Sequence, residues 1–227
     1  MAAGPIRNSN IDGEGLTILT QAAEWYDEHD PVHGLDHVLR VAALAEKLAR
    51  ASTADLEIVL AAALLHDAKG AAPVGGTADR ADHERASATF AAGILTEEGW
   101  PPDRIEAVQH CIRAHRYRGS ESPRTLEAKV LFDADKLDVL GAFGIARTIA
   151  YACQAGQPIF QPPSGQFIET GELAPGEAHS AYHEYVFKLQ RVKDRLQTEV
   201  GRQWAEAREP LLHAFFRQLA AEASGEI

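Results

Sequence analysis

The run Ala61-Ala62-Ala63-Leu64-Leu65-His66-Asp67 places an imidazole and a carboxylate directly after five small or aliphatic residues. Such a run belongs in a core, where an ionised carboxylate is costly unless something compensates it. A helix carrying the run delivers His66 and Asp67 to its buried C-terminal end. A divalent cation compensates both, because neutral imidazole and ionised carboxylate are good ligands. A single histidine on an apolar helix face is more often a hydrogen-bonded core residue, so the metal reading rests on co-occurrence. His37 opens one helix, the His66-Asp67 doublet ends the next, and Asp133, Asp135 and Asp138 occupy a later helix of largely apolar character.

The elements that must position these groups are read from apolar spacing. Leu16, Leu19, Ala23 and Tyr26 predict a helix over 15–28, broken by Asp30-Pro31. Val38, Val41, Ala45 and Leu48 predict a second, with His33 and His37 four residues apart near its start. Of the two, His33 reads as a helix-start residue. Ser52 and Asp55 resemble a capping box that opens the helix running to His66. Breakers mark a loop over 71–76, and the next helix is expected over about 79–98, with Gly99 to stop it and Glu84 on its exposed side. After Pro101-Pro102, Ile105, Val108, Ile112 and His115 share a face. His110, about 140° from Ile105 at 3.6 residues per turn, is expected in solvent.

Thr125 caps a helix carrying Leu126, Val130, Leu131, Leu137 and Leu140. Helical periodicity fails between Cys153 and Ala178, a loop long enough to suggest a function. Two amphipathic helices close the chain over about 181–198 and 201–221. With no alternating strand pattern and no repeat, the fold class expected is all-α. One domain over 1–227 is expected, its metal-site core at about 30–150 with helices 181–221 packed on it.

Lys plus Arg number 22 against 33 Asp plus Glu, a formal charge of −11 that argues against nucleic-acid binding through phosphate neutralisation. Local cations and a metal can still hold a phosphorylated small molecule. Lys69, Arg147, Lys188 and Lys193 are the cations considered for that role. Two cysteines, Cys111 and Cys153, suggest neither a disulfide framework nor a cysteine zinc site. Residues 1–10 lack a signal-peptide pattern, and no run approaches the roughly 20 apolar residues of a membrane span. The expectation is a cytoplasmic protein.

His37 with Arg40-Val41, then Leu64-Leu65-His66-Asp67, then Ala134-Asp135-Lys136-Leu137-Asp138 resemble the HD-domain metal-dependent phosphohydrolase superfamily. Gly141-Ala142-Phe143-Gly144-Ile145-Ala146-Arg147, Phe187-Lys188-Leu189 and Lys193-Asp194 resemble its bacterial subgroup that includes nucleoside-triphosphate pyrophosphohydrolases. The resemblance implies an HD-type helical bundle whose His37, His66, Asp67 and Asp135 bind a divalent cation, with Asp133 the rival of Asp135. Manganese, iron, cobalt, nickel or magnesium suit mixed imidazole and carboxylate ligation with open positions. Some relatives hold a second ion, for which His83 and His115 stand in the corresponding places.

A lysine or glutamate often follows the doublet in this superfamily as acid, base or phosphate contact. Here Lys69 is the nearest counterpart, beside Asp67 as the catalytic pair. Arg147, Lys188 and Lys193 become the implied substrate contacts. The expected reaction is hydrolysis of a phosphate ester or anhydride, of a nucleotide by resemblance. The rival readings are a di-iron oxygenase and a non-catalytic metal-binding signalling module. The 153–178 segment is expected to cover the site, with Phe160 and Phe167 offering apolar surface to a base; no oligomeric state is implied.

Overall fold

The computed structural model describes residues 16–26, 30–70, 83–116 and 121–227, and among them every regular element is helical. The loop expected over 71–76, the helix start at Asp79 and the end of the first helix at Glu28 lie outside these residues. The elements are α1 (Leu16–Trp25), α2 (Leu35–Ser52), α3 (Leu56–Leu65), α4 (His83–Glu97), α5 (Pro102–Ala114), α6 (Leu126–Leu137), α7 (Gly141–Gln154), α8 (Gly165–Thr170), α9 (Ala181–Phe187), α10 (Val192–Arg195) and α11 (Glu199–Ser224). A short 3₁₀ turn, Leu189–Arg191, joins α9 to α10. No helix among the described residues is long and apolar enough to cross a membrane.

Helix α3 is the hub because it is apolar all round. It packs against α1, α2, α5 and α6, and Val59, Ala62, Ala63 and Leu65 are fully buried. Its start is set by Asp55, whose Oδ1 accepts from the amides of Glu57 at 3.1 Å and Ile58 at 3.2 Å. Arg104 of α5 clamps the same carboxylate at 2.8 and 3.0 Å. The Ser52–Asp55 capping box is therefore corrected: Ser52 belongs to the last turn of α2, with its hydroxyl on the Leu48 carbonyl oxygen at 2.7 Å. At the other end of α3 the Tyr26 hydroxyl donates to the Leu64 carbonyl oxygen at 2.9 Å, satisfying a terminal acceptor.

Sequence periodicity located α2, α4, α5, α6 and α11 but not the irregular stretch between α7 and α11. The stretch expected to be unstructured contains α8, capped by Ser164 at the Phe167 amide. The helix expected over 181–198 is broken into α9, the 3₁₀ turn and α10, and Leu196 leaves in an extended conformation. The break serves an interaction made across the fold. Asp133, buried within α6, accepts from the Gln197 amide at 2.7 Å, the Thr198 amide at 2.8 Å and the Thr198 hydroxyl at 2.6 Å. Thr198 in turn caps α11 at the Gly201 amide. Burial nevertheless pushes the Asp133 carboxyl above the ordinary carboxylate range.

This contact makes Gly201 a test of the packing. Alanine at a helix interior is favoured over glycine by about 1 kcal/mol, yet a Cβ at Gly201 would land on the Asp133 carboxylate. Overpacking of this kind costs about 1–3 kcal/mol, which outweighs that gain. Gly201→Ala is expected to lower the thermal midpoint by about 4 °C, measured by circular dichroism. A midpoint at or above that of the parent would show that the Asp133 carboxylate is free to move.

Candidate metal centre

His37 lies in the first turn of α2, His66 caps the C-terminus of α3 with Asp67 next to it, and Asp135 lies in the last turn of α6. Mutual packing of these three helices brings the groups together. The first ring nitrogen of each buried imidazole is occupied. His66 Nδ1 lies 2.8 Å from the Ala63 carbonyl oxygen, so it carries the proton and donates. His37 Nδ1 lies 2.8 Å from Asp138 Oδ2, and His115 Nδ1 lies 2.6 Å from the Ile112 carbonyl oxygen. Each Nε2 is thereby left as a lone pair.

The Nε2 atoms of the cluster lie 3.6 Å from carboxylate oxygens, farther than a normal hydrogen bond. His66 Nε2 is 3.6 Å from Asp67 Oδ2, His37 Nε2 is 3.6 Å from Asp135 Oδ1, and His115 Nε2 and His83 Nε2 are each 3.6 Å from Asp67 Oδ1. His66 Nε2 and Asp67 Oδ1 are buried without any hydrogen-bond partner. Buried acceptors without a donor are costly unless a cation lies among them. Two triads have ligand atoms within 4.8 Å of one another, His37–His66–Asp67 and Asp67–His83–His115, and they share Asp67. The residues present thus fit one divalent cation, and Asp67 also belongs to the second group of ligand-type atoms, with His83 and His115.

The protonation states suit ligation. Burial opposes the charge on Asp67, but the His66 and His115 imidazoles outweigh it and hold the carboxyl well below its usual range. Asp135 is likewise held down, by Lys136, His66 and His37 against burial. Burial and the Arg147 guanidinium push His37 down, which keeps the ring neutral. Asp133 makes no such approach, since its oxygens serve the start of α11.

A cavity of about 570 Å³ opens on the cluster and is lined by His33, His37, Asp67, His83, His115 and Asp135. His33 lies in the turn before α2, tied by its amide to Asp30, with its imidazole pushed by burial down to about 4. The cations in the wall are Arg116, Lys136, Arg147 and Lys188. Lys136 is buried and paired with Asp135; sequence reasoning passed over it, although it sits inside the motif. Lys188 pairs with Glu184 at 2.7 Å.

Arg147, expected as a substrate contact, lines the cavity but directs Nε and Nη2 at the Val32 carbonyl oxygen and Nη1 at Asp138. Its place is that of a support for the carboxylate that holds His37. The structure brings neither Lys69 nor Lys193 into the wall. The Lys69 ammonium sits 4.2 Å from the Phe90 ring centre, and Lys193 pairs with Glu206 and Glu209.

Other expectations are corrected by burial. His110 is buried rather than solvated, because the 121–124 segment folds over it and Glu121 meets its Nδ1 at 2.6 Å. Glu84 is buried beside His83 and Arg116 rather than exposed. Phe167 is buried against His183 and Phe187, and Phe160 packs on Tyr182, so neither offers a face to the cavity. From that segment and its end, Gln157, His179 and Ser180 reach the wall instead.

With this geometry in hand, the HD domain family model matches residues 34–140. The chain is 31% identical over 213 residues to YpgQ of Bacillus subtilis (strain 168), covering 92% of this chain and 90% of that protein. The crystal structure of YpgQ in complex with ADP aligns with a TM-score of 0.69 at 28% identity, covering 92% of this chain and 97% of that one. A Lactobacillus plantarum crystal structure aligns at 0.72 with 27% identity, covering 93% and 97%. A predicted HD superfamily hydrolase from an uncultured Thermotogales bacterium aligns at 0.59 with 28% identity, covering 92% and 91%.

Asp138 is the testable support of this cluster. It fixes the His37 tautomer and is itself held by Arg40 Nε at 2.9 Å and Arg147 Nη1 at 2.9 Å. Loss of such an orienting carboxylate typically weakens metal binding about 10–100-fold. Asp138→Asn is expected to do so in a chelator-competition titration while the far-ultraviolet circular dichroism is unchanged. Undiminished affinity would show that His37 does not depend on Asp138.

Proposed function

We propose that this chain, which belongs to the HD-domain superfamily, is a metal-dependent phosphohydrolase that cleaves a phosphate ester or anhydride of a nucleotide. The observation that carries this reading is the pair of buried, unpartnered atoms, His66 Nε2 and Asp67 Oδ1, beside an open cavity that Asp67 itself lines. His37, His66, Asp67 and Asp135 would hold one divalent cation, and His83 and His115 with Asp67 a second. Manganese, iron, cobalt, nickel and magnesium all suit such nitrogen and oxygen ligands. A bound cation of this type lowers the pKa of water and polarises a phosphoryl oxygen.

The chain's own residues supply the rest. Asp138 holds His37 in the tautomer that presents Nε2 to the cluster. Lys136 and Lys188 bring positive charge into the cavity wall, where phosphate oxygens would meet it. Burial opposes the charge on Asp138, but His37, Arg40 and Arg147 together hold its carboxyl below the usual range, so that it stays ionised. Lys69 is left out of this set by its position on Phe90. The nucleotide part of the proposal draws support from YpgQ, whose crystal structure contains ADP. A cavity of this volume falls within the range of small-molecule sites, about 300–1,000 Å³.

Asp67→Ala removes the carboxylate common to both triads. It is expected to abolish metal retention by elemental analysis and to reduce phosphate or pyrophosphate release from nucleotides by at least about a thousandfold. Full activity with unchanged metal content would overturn the assignment, and oxygen consumption without phosphate release would point to an oxygenase.

The second triad is tested separately. Crystals saturated with manganese are expected to show two anomalous peaks in the parent protein and one in His115→Ala. A single peak in the parent would return His83 and His115 to structural roles.

A further inference from the structure

The cavity has two chemically different ends. The His/Asp cluster forms one. The other lies further along α7, where Tyr151 stands one helical turn beyond Arg147, the residue that bonds Asp138. The chain turns back after this helix, and the Gln157 amide donates to the Ala152 carbonyl oxygen at 2.8 Å. His179 arrives from the far end of the following loop. Tyr151, Gln157 and His179 line the same cavity as the cluster.

The loop that carries His179 is tied down. Glu177 accepts from the Ser164 amide at 2.6 Å, the Ser164 hydroxyl at 2.7 Å and the Ala174 amide at 2.7 Å, and meets His183 Nε2 at 3.0 Å. The amides of Ala181 and Tyr182 donate to the carbonyl oxygens of Pro158 and Ile159, each at 3.2 Å, joining the two arms of the loop. Within this frame His179 Nδ1 lies 3.4 Å from Gln157 Oε1. Among the described residues, neither His179 Nε2 nor the Gln157 side-chain nitrogen Nε2 has a hydrogen-bond partner.

We propose that this end of the cavity is a nucleobase subsite, in which the Gln157–His179 pair reads the hydrogen-bonding edge of a nucleotide whose phosphates lie at the His/Asp cluster. The inference rests on the reading of that cluster as a phosphohydrolase centre. Burial pushes the His179 imidazole down, keeping it neutral with one donor and one acceptor nitrogen. Its bond to Gln157 couples the two side chains. If Nδ1 donates to Oε1, Nε2 accepts while the amide nitrogen donates; with the amide reversed, both roles exchange. Either arrangement presents one donor beside one acceptor. That pattern complements the Watson–Crick edge of the amino bases adenine and cytosine in one arrangement and that of the keto bases guanine and uracil in the other. Tyr151 adds a ring against which a base can lie.

The test is calorimetric titration of the full chain with ADP, CDP, GDP and UDP, and with inorganic pyrophosphate as the ligand without a base. The four diphosphates are expected to divide into amino and keto groups that differ at least about tenfold in affinity. Gln157→Leu, close in shape, and His179→Phe, which keeps a ring beside Phe167, are expected to reduce that ratio below about twofold without changing pyrophosphate affinity. Equal binding of all four by the parent protein, a preserved ratio in both variants, or an equal loss of pyrophosphate binding would each overturn the subsite. The readout does not need turnover. A protein that separates the bases but hydrolyses none keeps the subsite and loses the phosphohydrolase reading, whereas hydrolysis without separation does the reverse.

Discussion

The structure depends on imidazole lone pairs and carboxylate oxygens gathered at the dry end of an apolar helix. His66 Nε2 and Asp67 Oδ1 have no partner there, and an interior tolerates such atoms only when something outside the protein chain satisfies them. Helix α3 makes the arrangement possible. Being apolar on every side, it sits in the middle of the bundle, and whatever follows its last turn is delivered to the interior. The Tyr26 hydroxyl at Leu64 and the Arg104 clamp on Asp55 fix the two ends of this helix, and so fix where the doublet points.

Three aspartates of one helix and its cap divide the remaining work. Asp133 faces the C-terminal region and starts α11. Asp135 faces His37 within the cluster. Asp138 collects His37, Arg40 and Arg147. The spacing explains the split, since residues two apart on a helix point about 200° from each other while residues three or four apart share a side. A helix buried over its last two turns can therefore serve a support, a cluster and a capping contact at once. Arg147, drawn into this support, ties α7 and the Val32 backbone to the same place. Two of the cations facing the cavity have their partners in its wall with them, Lys136 beside Asp135 and Lys188 beside Glu184.

The HD-superfamily fold and an all-α class were legible from the chain, as was the His/Asp set now seen clustered, because each rests on local signals. The apolar run before His66-Asp67, the spacing of Val38, Val41, Ala45 and Leu48, and the acidic motif on α6 are properties of neighbouring residues that no distant contact overrides. Tertiary structure decided everything that hangs on a partner remote in sequence. Periodicity placed Asp133 and Asp135 on a helix buried all round but could not say which one meets Gln197 and Thr198. The angle that put His110 in solvent was measured on an isolated helix, and the segment carrying Glu121 covers it. The motif that ends in Arg147 implies a substrate contact, yet Val32 and Asp138 lie where its guanidinium reaches, 115 and 9 residues away. The helix expected over 181–198 breaks because capping α11 at Asp133 requires an extended Leu196. Helical spacing, a residue's own chemistry and short motifs act within a turn or two of chain. The choice among equally suitable carboxylates, cations and aromatic faces is made by the packing of whole helices, and only the folded structure shows it.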